Sequence, residues 1–145
     1  MRDLTAQFPV VLLQDLIWGD MDAFAHINNT VYFRYFEDAR IAYFEKIGVI
    51  QYMQNHRIGP ILASTQCDFR APLAYPGKIE IAAGVEAVET KRFTMAYEVF
   101  SRNLEKTAAT GRAVIVYYDY ENGGSCEIPE SIESRIRNLE ADFNR

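Results

Sequence analysis

The chain has 145 residues, of which 49% are apolar and 24% charged, enough to bury one core and too apolar for wholesale disorder. Its formal charge of -5 argues against a general nucleic-acid binder, because phosphate backbones are held by clustered Lys and Arg. With no repeat, low-complexity tract or linker, residues 1–145 read as one domain.

Val10 to Trp18 reads as a strand buried on both faces, since its apolar content is nearly continuous. The polar stretch Gly19 to Asn29 follows as a loop. From Thr30 to Ile47 the period becomes helical, with Tyr32, Tyr35, Phe36, Ala39, Tyr43 and Ile47 recurring at i, i+3 and i+4 as one aromatic stripe. Asn28 or Asn29 serves as its cap and Gly48 as its C′ residue. Arg34 and Asp38 stand at i, i+4, the spacing of an intrahelical ion pair. Gln51 to Arg57 reads as a polar connection.

Four strands are then predicted in a meander: Ile58 to Arg70, Lys78 to Glu89, Phe93 to Arg102 and Thr107 to Tyr120. Tyr75-Pro76-Gly77, Thr90-Lys91-Arg92 and Asn103 to Lys106 supply the turns between them. On the last strand Val114, Val116 and Tyr118 share a face. A polar helix from Pro129 to Phe143 closes the chain, with Pro129 in its first turn. This order is α+β, not a repeated βαβ unit. An antiparallel sheet of about five strands wrapped around one long central helix would bury both apolar faces.

No apolar run reaches the roughly 18 residues that a membrane span needs. The Phe8 to Leu13 run lacks the basic start and small-residue cleavage site of a secretory signal. Cys67 and Cys126 have no metal-site spacing and are too few for a disulfide scaffold, so they read as reduced thiols of a cytoplasmic protein, with one bridge between them as the alternative. Within its strand Cys67 is a small core residue.

The loop before the long helix concentrates the chemistry. Asp20, Asp22 and His26 admit three readings. The carboxylates could organise a turn by accepting backbone N–H bonds. They could ligate a metal with His26, although no second His or Cys stands nearby. Or a carboxylate beside a helix N-terminus could act as base or nucleophile, with backbone N–H groups holding an oxyanion.

The run Trp18-Gly19-Asp20-Met21-Asp22-Ala23-Phe24-Ala25-His26-Ile27-Asn28-Asn29, followed by Tyr32, Tyr35, Phe36, Glu37, Ala39 and Arg40, resembles the signature of hotdog-fold acyl-CoA thioesterases. Asp68-Phe69-Arg70-Ala71-Pro72-Leu73 and Tyr75-Pro76-Gly77 extend the resemblance, which is to the 4-hydroxybenzoyl-CoA thioesterase-like branch and spans Val10 to Tyr120. It implies a sheet wrapped around one long helix, and hydrolysis of acyl-CoA thioesters. Asp22 is then the catalytic carboxylate and the Asn29 N–H the oxyanion donor, while Asp20 holds the loop. His26, Asn28 and Tyr32 fall at substrate-binding positions. Lys91 and Arg92 fall where CoA phosphates are held, with Arg57 and Arg70 as lesser cations.

No cofactor beyond the CoA of the substrate and no metal is implied. The implied assembly is a homodimer or homotetramer, with the acyl pocket between subunits. One position departs from the family pattern: Ala25 stands where a glycine precedes the histidine. Two other functions fit the same residues: an enoyl-thioester hydratase or dehydratase using Asp22 and His26, and a non-catalytic acyl-CoA-binding module.

Overall fold

The computed structural model describes residues 2–143 and 145. Five strands form one antiparallel sheet: β1 (Val10–Asp15), β2 (Ile58–Phe69), β3 (Lys78–Val88), β4 (Arg92–Ser101) and β5 (Lys106–Asp119). Their order across the sheet is β1-β3-β4-β5-β2. Three α-helices accompany them, α1 (Asn29–Ile47), α2 (Val49–His56) and α3 (Glu130–Glu140). Among the described residues, no helix is long and apolar enough to cross a membrane.

α1 forms where the aromatic stripe predicts it. Asn28 is the N-cap, its side-chain oxygen accepting the Thr30 N–H, and Gly48 ends the helix in the left-handed region at φ 71°. All six stripe residues are buried. They pack on the inner sheet face, where Ile79, Ile81, Phe93, Met95, Val99 and Ile115 join them in one core. Phe36 stacks on Tyr97 with ring centroids 4.7 Å apart. It also lies over Gly111, where a Cβ would collide with the ring.

The opposite sheet face is partly covered by the N-terminal segment, whose Leu4 and Phe8 pack on Ala82 and Phe100. Arg2 bonds there to the buried Glu98 carboxylate at 2.6 and 2.8 Å. That cover buries the middle of β3 on both faces.

Several boundaries differ from the sequence reading. β1 stops at Asp15, and Trp18–Asp20 forms a 3-10 turn instead of prolonging the strand. Gln51 to His56 is not a connection but the body of α2, ended by Arg57 in the left-handed region, with Val49 buried and Tyr52 and Met53 half-buried at i, i+3 and i+4. The closing helix is shorter than predicted, and Pro129 caps it from outside.

The meander holds only for β3-β4-β5. β2 pairs with β5 at the far edge, from Ile58↔Asp119 to Phe69↔Ala109. The link from Arg70 to Gly77 therefore crosses the end of the sheet past two strands, roughly 15 Å, which eight extended residues easily span. On β5, Val114, Val116 and Tyr118 share the half-exposed outer face, while Ala113, Ile115 and Tyr117 are buried under the helices. Arg34 and Asp38 do not pair. Arg34 bonds to the Asp20 carboxylate, and Asp38 accepts from Gln14 Nε2 at 3.0 Å.

Candidate active site

The crossing segment fixes the loop before α1. Leu16 N–H donates to Gly77 C=O at 2.8 Å, and Ile27 N–H to Leu73 C=O at 2.7 Å, so both ends of the loop are tied to one stretch of chain. Between these ties Met21 and Ile27 form an antiparallel bridge. Asp22 N–H donates to His26 C=O at 2.9 Å and Ala25 N–H to Asp22 C=O at 3.0 Å, closing a tight hairpin with Phe24 exposed at its tip.

Ala25 has φ 63°, the left-handed position that follows a type I turn in such a loop and favours glycine. Replacing Ala25 with Gly is expected to stabilise the protein by about 1 kcal/mol, because the Cβ penalty of that conformation disappears. A urea midpoint that does not rise would show that the loop bears no strain there.

Asp22 Oδ1 accepts the Phe24 N–H at 2.9 Å, so one carboxylate oxygen organises the turn. Among the described residues nothing donates to the other, and the side chain is exposed. Asp20 acts differently. Its carbonyl accepts the Asn28 N–H at 3.0 Å and its carboxylate holds Arg34, so it ties the 3-10 turn to the start of α1.

At that helix start the donors are divided. Asn28 takes the Thr30 N–H on its side-chain oxygen at 3.0 Å and the Val31 N–H on its carbonyl at 3.0 Å. The Asn28 oxygen is thus occupied in capping. The Asn29 N–H, first in the helix, has no acceptor among the described residues, as geometry dictates for an N-terminal helical donor.

A pocket of about 310 Å³ opens beside this donor, between His26, Asn29 and Tyr32 on one side and Phe69, Arg70 and Pro72 on the other. The buried Tyr32 ring stands edge-on to Phe69, with centroids 5.0 Å apart. Burial pushes the Tyr32 hydroxyl up to about 12, with a smaller push from Cys67, so it stays protonated and able to donate. The Cys67 thiol is itself pushed up to about 11, by burial and then by Asp68. A thiol held so protonated is a poor nucleophile. Among the described residues, no three His, Cys, Asp or Glu side chains gather as a metal site would require.

The structure thus brings His26, Asn29 and Tyr32 to one pocket, whereas Asp22 joins them only through its backbone bond to His26 and is not among the residues that line it. It places Lys91 and Arg92 elsewhere, on the exposed β3-β4 hairpin. Phe93 beside them packs on Phe44 near the C-terminal end of α1, so within one chain most of the helix, roughly 22 Å from Asn29 to Phe44, separates them from the pocket. The wall made by Phe69, Ala71 and Pro72 was not singled out from sequence as part of the site. Its signal was the proline that ends a strand, which marks a boundary and says nothing of what the boundary faces.

Strand order, helix placement and loop together define a hotdog fold. The family model of the thioesterase-like superfamily matches residues 16–136, and the chain belongs to that superfamily: it is a thioester hydrolase. Among relatives, the uncharacterized protein YsmA of Bacillus subtilis is 32% identical over 107 residues, covering 73% of this chain and 70% of that one. A thioesterase from Thermus thermophilus, solved in complex with coenzyme A and Zn, is 29% identical. It superposes with a TM-score of 0.81 over 92% of this chain and 96% of its own. Slr0204 of Synechocystis, a 1,4-dihydroxy-2-naphthoyl-CoA thioesterase, shares the fold at a TM-score of 0.79 and 13% identity, covering 90% of this chain and 97% of that chain.

Proposed function

We propose that this enzyme hydrolyses acyl-CoA thioesters to the free acid and CoA. The observation that carries the reading is the unspent N–H of Asn29, a residue that lines one pocket with His26 and Tyr32, at the end of a hairpin loop whose Asp22 carboxylate keeps one oxygen free among the described residues. The Thermus thermophilus thioesterase, described as complexed with coenzyme A, supports CoA as the thiol.

A thioester carbonyl needs little acid assistance, because the thiolate leaves readily. Asp22 takes a proton from water as the water oxygen attacks the carbonyl carbon, or attacks that carbon itself to give an anhydride that water then opens. The negative charge that develops on the carbonyl oxygen is met by the Asn29 N–H at the positive end of α1. Collapse breaks the C–S bond; in the first route the departing thiolate takes up the proton that Asp22 took from water, and in the second it takes one from solvent, while the water that opens the anhydride gives the free acid and returns Asp22. His26, Tyr32 and the side-chain NH2 of Asn28, whose oxygen caps α1, orient the acyl group and the water.

The working unit is a homodimer or homotetramer. β2 is a twelve-residue edge strand whose positions 61–66 are exposed, and an open edge of that length is a template for pairing with another chain. In such an assembly Lys91 and Arg92 reach CoA phosphates from a neighbouring copy. Both cysteines are free, as in a protein of the reducing cytoplasm.

Thiol release from short, medium, long and aryl CoA thioesters tests the reading, on protein whose mass in solution has been measured. Release from at least one class by an oligomer is expected. Saturable binding without release would replace the enzyme with a binding module. Water addition to an enoyl-CoA with no free thiol would point to a hydratase, and a monomer mass would overturn the assembly.

A further inference from the structure

The pocket beside Asn29 shares one wall residue with a second concavity. A trough of about 440 Å³ runs along the outer face of the sheet, lined among others by Gln66, Asp68, Arg70, Glu86, Thr110 and Arg112. Among the described residues, Arg70 alone lines both hollows. Its backbone is anchored, since the N–H groups of Arg70 and Ala71 both donate to Ala108 C=O, at 2.8 and 3.1 Å. Its guanidinium is not. A single long bond, 3.4 Å from Nε to Thr110 Oγ1, leans it over the outer face.

Charge bookkeeping singles out the same residue. Arg112 is bound to Glu86 at 2.6 Å, Arg145 to Glu140 at 2.8 Å, and Glu98 to Arg2. Arg34, the other cation near the catalytic loop, is committed to Asp20. Among the described residues Arg70 enters no ion pair, so its fork of donors is available at the rim. Asp68, two residues back on the same face, is the carboxylate in the trough that no cation holds among the described residues. A flexible exposed guanidinium on a fixed strand end suits an anion that arrives with a ligand, because its donor geometry matches phosphate oxygens. The trough's volume lies within the range of small-molecule sites.

Resting on the CoA-thioester reading above, we infer that the CoA arm leaves the pocket over the Arg70 rim and that Arg70 binds a phosphate of the nucleotide on the outer face of the sheet. The assignment makes Arg70 of the same chain, and not only Lys91 and Arg92 of a neighbouring one, a determinant of preference for CoA esters over thioesters without phosphate.

The test compares wild type, Arg70→Ala, Arg70→Lys and Asp68→Asn on one acyl-CoA and on the matching acyl-pantetheine, which lacks phosphates. Because Arg70 also walls the pocket, the readout is the ratio of the two KM values: Arg70→Ala is expected to raise KM for the CoA ester about tenfold more than KM for the acyl-pantetheine, the scale of one charge-assisted hydrogen bond. Arg70→Lys retains part of the effect, and Asp68→Asn lowers the CoA-ester KM by removing a nearby like charge. Equal loss on both substrates would overturn the inference, because Arg70 would then shape the pocket without touching phosphate; so would no loss on either. If wild type turns over neither substrate, the hydrolase reading fails, and titration with CoA alone decides this inference: about tenfold weaker binding by Arg70→Ala upholds it, and equal binding ends it.

Discussion

Replacing Asp22 with Asn is expected to lower kcat for thioester hydrolysis by about 10²- to 10⁴-fold, the usual worth of a positioned general base. The substitution is chosen because the turn survives it. Asn also carries an oxygen at the δ position, so the 2.9 Å bond from the Phe24 N–H can persist and the hairpin keeps its shape. What disappears is the proton acceptor. Thiol-release kinetics beside an unchanged thermal midpoint are the expected pair of results. An active Asp22→Asn variant would mean that the carboxylate only organises the turn, the structural role its first oxygen already fills.

Replacing Phe36 with Ala is expected to destabilise the protein by about 3–5 kcal/mol, the cost of emptying a large aromatic site in a core. Phe36 is fully buried, stacks on Tyr97, and lies over a glycine that leaves room for it on β5. Its ring seats α1 on the middle of the sheet, so the neighbours cannot collapse into the void without moving the helix. Urea denaturation checks the figure. A loss under about 1 kcal/mol would show a site that collapses freely, outside the range for such truncations.

The long helix was legible because its signal is redundant: six stripe positions, a capping Asn and a left-handed Gly48 all point to the same boundaries. α2 was not, because its polar residues hide a face made of Val49, Tyr52 and Met53, which has meaning only beside β2. Strand boundaries follow from alternation, whereas strand order does not. β2 reaches the far edge because the Arg70–Gly77 link crosses the sheet, and no local pattern announces a crossing.

The catalytic loop divides in the same way. Asp20, Asp22, His26 and Asn29 are near neighbours in sequence, and the resemblance to a known signature picks them out. The opposite wall, Phe69 to Pro72, lies some forty residues on and joins them through Tyr32 and the Ile27–Leu73 bond. The i, i+4 spacing of Arg34 and Asp38 misled because Asp20 offered Arg34 a partner tied by its own backbone to the helix start.

The two backbone ties at Leu16 and Ile27 have a consequence for how this loop can change. They and the Met21–Ile27 bridge isolate the stretch from Ala23 to Ala25 mechanically from the start of α1. Exposed loop tips are where chains accept added residues most readily, and here the tip lies beyond the ties that hold the start of α1. The hairpin tip is therefore a segment that can be lengthened or exchanged while the Asn29 N–H stays anchored in the helix behind it.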